Sequence, residues 1–162
     1  MHLSVEELLH YTDEERERWE KWFHENGEDL LRMPNGGERD TTIGALILHM
    51  LGPELRYVQR LRGEPLTEYR GRPCHHIDGV FGYGLETRKQ MRSFVRKAQA
   101  EDWVQVHELN IAGQQYRAST RKIIMHALLH EIRHWAQVAR VMRERGFLPP
   151  GDHDLLTSAA LI

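Results

Sequence analysis

A single cysteine, Cys74, is all the thiol chemistry the chain possesses, which excludes an internal disulfide and fits a reducing compartment. No apolar run approaches the roughly 18 residues that a membrane-crossing helix needs. Met1-His2-Leu3 leads straight into acidic sequence, without the basic and apolar regions of a signal peptide. There is no excess of positive charge either. Twenty-two Lys and Arg stand against 24 Asp and Glu, a net charge of −2, so the chain lacks the global basic signature of a nucleic-acid binder. Internal repeats and low-complexity tracts are also missing. These absences point to a soluble cytoplasmic protein with neither nucleic acid nor membrane as partner. At 162 residues it suits one domain, 1–162, large enough to bury a core.

What the chain does have is histidine, eleven in all. Three of them, His126, His130 and His134, fall four apart in Lys122 to Arg145, KIIMHALLHEIRHWAQVARVMRER. Residues four apart on a helix lie one above the other. Ile123, Ala127, His130, His134, Val138 and Val141 share one stripe, flanked by Ile124, Leu128 and Met142. The pattern predicts that all three imidazoles point inward, with no positive neighbour, and such a cluster favours a cation. Two histidines at i, i+4 are a known way to offer two ring nitrogens to one metal. One ion cannot take all three, because eight residues of helix rise about 12 Å. The site therefore uses 126/130 or 130/134 with help from elsewhere, and spacing alone does not choose.

The chain reads as four long helices. Ser4-Val-Glu-Glu7 has the form of a capping box that opens a helix to about Asn26, stopped by Gly27. Its charged middle, Asp13 to Arg18, reads as a solvated face. A second helix, capped by Thr41 or Thr42, runs to Gly63 with Ile43, Leu46, Ile47, Met50, Leu51, Leu55, Val58 and Leu61 in helical period. His49 lies among these residues, and Pro53 predicts a kink within a turn of it. Leu66 to Tyr83 is expected to be irregular, and its Cys74-His75-His76 lacks ligand spacing. A third helix is expected over Leu85 to Ala100, with Arg88, Lys89, Arg92, Arg96 and Lys97 as a solvated basic face. Trp103 to Tyr116 suggests a short extended segment or hairpin. Ser119 or Thr120 then caps the last long helix, which Gly146 ends, and the tail from Asp152 to Ile162 suggests one short helical turn. The fold class is all-α, a four-helix bundle with a short extended segment before the last long helix.

In HALLHEIRHWAQ, residues 126 to 137, two histidines four apart are followed three residues later by Gln137. This stretch resembles the fourth-helix pattern of the DinB/YfiT-like metal-dependent enzymes, with Trp135 and Ala136 where Arg and Gly are usual. Thr42-Ile-Gly-Ala-Leu-Ile-Leu-His49, followed by Glu54, is similar to the ligand-bearing second helix of that family. The resemblance implies a four-helix bundle that holds a metal on His49, His130 and His134, with His126 outside the ligand set. It also implies a homodimer, to which the aromatic surface of Trp19, Trp22 and Trp103 would contribute.

Three neutral imidazoles without a carboxylate leave a coordination position open, the pattern of a catalytic rather than a structural site. Imidazole suits several divalent transition metals, zinc and nickel first among those expected here. The chemistry so implied is activation of water or a thiol for attack on a small-molecule substrate, by hydrolysis or transfer. Relatives in the resembled family include S-transferases and isomerases that use low-molecular-weight thiols, which implies such a thiol as co-substrate. From a different class, the alternative is a non-catalytic, stress-related metal- or ligand-binding bundle; a third reading is a dimeric structural bundle whose histidines merely fill its core.

Overall fold

A computed structural model describes residues 3–151 and 155–160. The chain is mostly helical. Helix α1 is Val5–Asn26, and a 3-10 turn, Glu28–Arg32, follows it. Helix α2 is Ile43–Arg62, α3 is Ile77–Lys97 and α4 is the short Ala100–Val104. Strands β1, Val106–Ile111, and β2, Gln114–Ser119, precede α5, Thr120–Glu144. Helix α2 packs against α3 and α5, and α1 against the same two. The tail expectation falls partly outside the described residues; within them Leu155–Thr157 forms one 3-10 turn.

The ends of the helices follow from local chemistry. The Ser4 hydroxyl accepts from Glu7 N while Glu7 accepts from Ser4 N, a complete capping box. Thr42 Oγ1 caps α2 by accepting from Ala45 N, and Ser119 Oγ caps α5 by accepting from Lys122 N. Gly63 closes α2 in the left-handed region at φ 67°, where a side chain would be strained. Helix α2 continues through Pro53. The expected extended segment is an antiparallel hairpin that pairs Ile111 with Gln114 around Ala112-Gly113. Both turn residues have positive φ, the condition for a tight two-residue turn that matches strand twist.

Two expectations about α3 and its face are corrected. The helix begins at Ile77, eight residues before Leu85, although Gly79, Gly82 and Gly84 weaken the local helical signal. Gly84 is explained by packing: a Cβ there would lie 3.0 Å from Leu51 Cδ1 on α2. Nor is Arg88 part of a solvated face. It is buried, and so are Glu15 and Arg16 in the charged middle of α1. Arg16 Nε donates to Glu131 Oε1 at 2.6 Å, its Nη2 to Glu131 Oε2 at 2.7 Å and to Glu54, and its Nη1 to the Gly84 carbonyl at 2.9 Å. Arg88 Nη2 reaches Glu131 Oε2 at 2.9 Å, and its Nε lies 3.0 Å from Asp13.

This network takes one charged residue from each long helix: Arg16, Glu54, Arg88 and Glu131. It forms a polar layer between two apolar clusters, one around Trp19, Leu51, Phe81 and Trp135 and the other around Leu9, Val58, Met91 and Leu128. On every helix the charged residue falls between members of the two clusters. Buried charges are tolerated only when paired and hydrogen-bonded, and here two cations meet two carboxylates. Trp19 stacks on Trp135 with ring centroids 5.2 Å apart, and Trp22 donates its Nε1–H to the Leu148 carbonyl. Trp19 and Trp22 are buried within one chain, so of the three tryptophans offered as dimer surface only the half-buried Trp103 keeps exposed area.

Candidate metal centre

Helices α2 and α5 lie side by side; His49 sits in the first half of α2 and His130 and His134 near the middle of α5. His49, His130 and His134 each offer a ring nitrogen within 4.8 Å of the others'. His134 is buried and the other two are half-buried, so the cluster sits at the edge of the core with one side towards solvent. His126, predicted to point inward, is exposed. Its ring lies 6.0 Å from His130 and 5.6 Å from Tyr57, one turn of α5 away from the cluster. The pair that joins His49 is thus 130/134. The stripe drifts around the helix because 3.6 residues per turn do not divide evenly into steps of four.

The orientation of each ring is held from outside the cluster. His134 Nδ1 lies 3.0 Å from Gln137 Oε1 on the next turn of α5. His49 Nδ1 lies 3.1 Å from Asp40 Oδ2 and 3.5 Å from Tyr69 Oη. Oxygen acceptors on both Nδ1 atoms place the protons there and leave each Nε2 as a lone pair, the tautomer that a metal ligand requires. His134 Nε2 faces His130 Nε2 at 3.1 Å. Two nitrogens bound at about 2.0–2.1 Å to one tetrahedral ion would be roughly 3.3 Å apart. A lone pair facing another nitrogen at that distance needs a proton or a cation between them. The donor set and its spacing therefore fit a divalent transition ion. His130 Nδ1 is buried without a hydrogen-bond partner among the described residues.

Burial pushes all three imidazoles below the usual histidine range, and His130, which also faces His134 and His49, falls to about 3. The expectation of no positive neighbour is corrected here. Arg133, Arg70 and Arg39 add to the lowering at His49, and Asp40 opposes it. At neutral pH the rings are uncharged and able to bind a cation. The same shifts carry a stability consequence. Because the folded-state values lie below the free value of about 6.5, the unfolded chain takes up protons first as the solution is acidified. The stability that the neutral rings contribute is present above pH 6.5 and is lost as pH falls towards the folded-state values. In metal-free protein the melting temperature should fall more steeply from pH 7 to pH 4 than in His130→Ala. Parallel thermal-melting curves for the two proteins would remove this expectation.

Asp40 and Tyr69 were not singled out from sequence. Asp40 lies in the loop before α2 and Tyr69 in the loop after it, so no helical period marks them. Tyr69 approaches closely because Gly52 has no side chain: a Cβ there would come within 2.3 Å of the Tyr69 ring. Cys74-His75-His76 stays apart from the cluster. The Cys74 carbonyl packs against Gly44, and His76 Nδ1 lies 3.3 Å from Glu28 Oε2 at the start of α3. Trp135, at a position where the resembled family usually has arginine, turns into the core and donates its Nε1–H to Glu131 Oε1 at 3.2 Å. A cavity of ≈ 570 Å³ between α1 and α3, lined by Arg16 and Arg88 among others, has no histidine in its lining among the described residues.

With this geometry, the family model described as the DinB family matches residues 1–160 of the chain. The chain belongs to the DinB family. No curated protein matches it. In this DinB-family chain the match spans both histidine-bearing helices, and no described helix is long and apolar enough to cross a membrane.

Proposed function

We propose that the protein is a metal-dependent enzyme, with its four long helices forming a four-helix bundle that holds one divalent transition ion, zinc or nickel, on His49, His130 and His134. The observation that carries the reading is the convergence of three neutral imidazoles within 4.8 Å, two of them with Nδ1 occupied by an oxygen acceptor. An ion bound by three histidines keeps a position free and acidifies a water or thiol that reaches it, the basis for hydrolysis or S-transfer on a small electrophile. The chain's own residues supply the rest. Asp40 and Gln137 fix the two rings by accepting their Nδ1 protons, and Asp40 places a negative charge close to the cation. Tyr69 Oη lies 3.5 Å from His49 Nδ1 and is kept protonated because burial raises its pKa.

The test is elemental analysis of protein purified without a histidine tag, followed by a thiol-transfer assay. About one equivalent of zinc or nickel per chain is expected, because three histidines converge on one point. Less than a tenth of an equivalent after metal addition would overturn the reading. Glutathione, bacillithiol and mycothiol are then offered with a fluorogenic haloalkyl probe. Metal-dependent consumption with at least one thiol, or metal-dependent hydrolysis of the probe, supports the enzyme; full metal content without either favours the non-catalytic binding bundle.

A further inference from the structure

One turn of α5 from the metal centre, the inner face of the β1–β2 hairpin stands off the helices and encloses a second cavity of ≈ 370 Å³. Strand alternation puts Leu109, Ile111, Tyr116 and Ala118 on that face, and Ile123 and Tyr57 close the other side. The size and apolar lining are those of a small-molecule site, in which a few polar groups fix orientation. The polar groups here have one sign. Among the described residues, Lys122 and Arg117 are the charged ones lining the cavity, and no carboxylate lines it. Arg117 lies 3.9 Å from Glu108 across the hairpin, whereas Lys122 has no ion pair among the described residues. Outside the cavity, Arg60 holds its guanidinium 5.8 Å from the Tyr57 ring centre. Tyr57 Oη makes no hydrogen bond among the described residues, and burial raises its pKa, so it remains a donor.

We infer that this cavity binds an amphiphilic carboxylate, a small organic acid whose apolar body lies under the hairpin and whose charge meets Lys122. The inference deepens the proposed function and rests on it in one respect only, the direction in which the ligand points. His126 forms one wall of the cavity and neighbours His130, so it separates the apolar pocket from the metal cluster. Lys122 lies eight residues before His130, about 12 Å along α5. A ligand anchored by its carboxylate at Lys122 therefore lies along α5 with its far end at His126, on the side of the cavity nearest the metal centre. On this reading the electrophilic carbon lies at the end of the substrate remote from its carboxylate.

Octanoate, octanol and octylamine serve as probes, titrated calorimetrically into the full-length protein, metal-loaded and metal-stripped, while backbone amide shifts locate the site. Octanoate should bind at least fivefold more tightly than octanol in both forms, octylamine least, with shifts in β1, β2 and the first turns of α5. Lys122→Glu should abolish the preference for octanoate, and Ile111→Asp should weaken binding of octanoate and octanol alike. Arg143→Glu, on the exposed last turn of α5, should leave binding unchanged. Equal binding of octanol and octanoate, shifts confined to the α1–α3 cavity, or an undiminished preference in Lys122→Glu would overturn the inference. A dimer whose interface closes the cavity would overturn it as well. In cobalt-loaded protein the paramagnetic ion should perturb the octanoate methyl group more than the methylene beside its carboxylate; the reverse order overturns the direction. Failure to load cobalt counts against the metal centre, while the calorimetry judges the pocket by itself.

Discussion

Glu131→Ala should destabilise the protein by about 3–5 kcal/mol, the cost of removing one partner from a buried ion pair. Glu131 is 1% exposed and accepts four hydrogen bonds, two from Arg16 and one each from Arg88 and Trp135. Burial alone would raise its pKa, but the guanidinium groups of Arg16 and Arg88 outweigh burial and hold it below the usual carboxylate range. Without it two buried cations face Glu54 and the half-buried Asp13. Folding free energies of about 5–15 kcal/mol make such a loss a large fraction of the whole. Urea denaturation reads it as a lower midpoint at an unchanged slope. Glu131→Gln keeps the volume and one acceptor oxygen and should fall between the two. A loss below about 1 kcal/mol in Glu131→Ala would show that the polar layer contributes no more than an exposed ion pair does.

The second large effect is on metal content. His49→Ala, His130→Ala and His134→Ala each remove one of the three proposed ligands and should bring elemental analysis to background at stoichiometric metal. His126→Ala should retain about one equivalent, because its ring is exposed and one turn away from the cluster. Asp40→Ala and Gln137→Ala should bind more weakly by about 10–100-fold, as is typical when the partner that orients a ligand is removed. Competition with a chromophoric chelator separates these three classes. Metal lost in His126→Ala but retained in full by His134→Ala would place the site one helical turn away from where it is assigned.

The Glu131 network and the histidine cluster are linked through the helices that carry both. Glu54 follows His49 on α2, and Glu131 stands between His130 and His134 on α5, its side chain turned to the opposite side. Arg16, by bonding both carboxylates, ties α2 to α5 and so fixes the spacing between His49 and the other two rings. A partly folded Glu131→Gln protein with weakened metal affinity would be the signature of this coupling.

The amino-acid sequence by itself determined what is local. Ser4, Thr42 and Ser119 mark helix starts because their hydroxyls satisfy amide groups three residues away, and Gly27 and Gly63 mark ends through their backbone freedom. It also put histidines on the second and the last long helix, but spacing left the pairs 126/130 and 130/134 equal, and only the family resemblance implied His49, His130 and His134, whose ring nitrogens lie within 4.8 Å of one another. Only the tertiary structure decided which charged residues are interior. Arg16 and Arg88 look like any other cation on a charged helix, and their carboxylate partners lie 38 to 115 positions away for Arg16 and 43 away for the Arg88–Glu131 pair. Asp40, Tyr69 and the exposure of His126 were hidden for the same reason. Each depends on where a loop or a neighbouring helix comes to rest, and no periodicity within one segment records that.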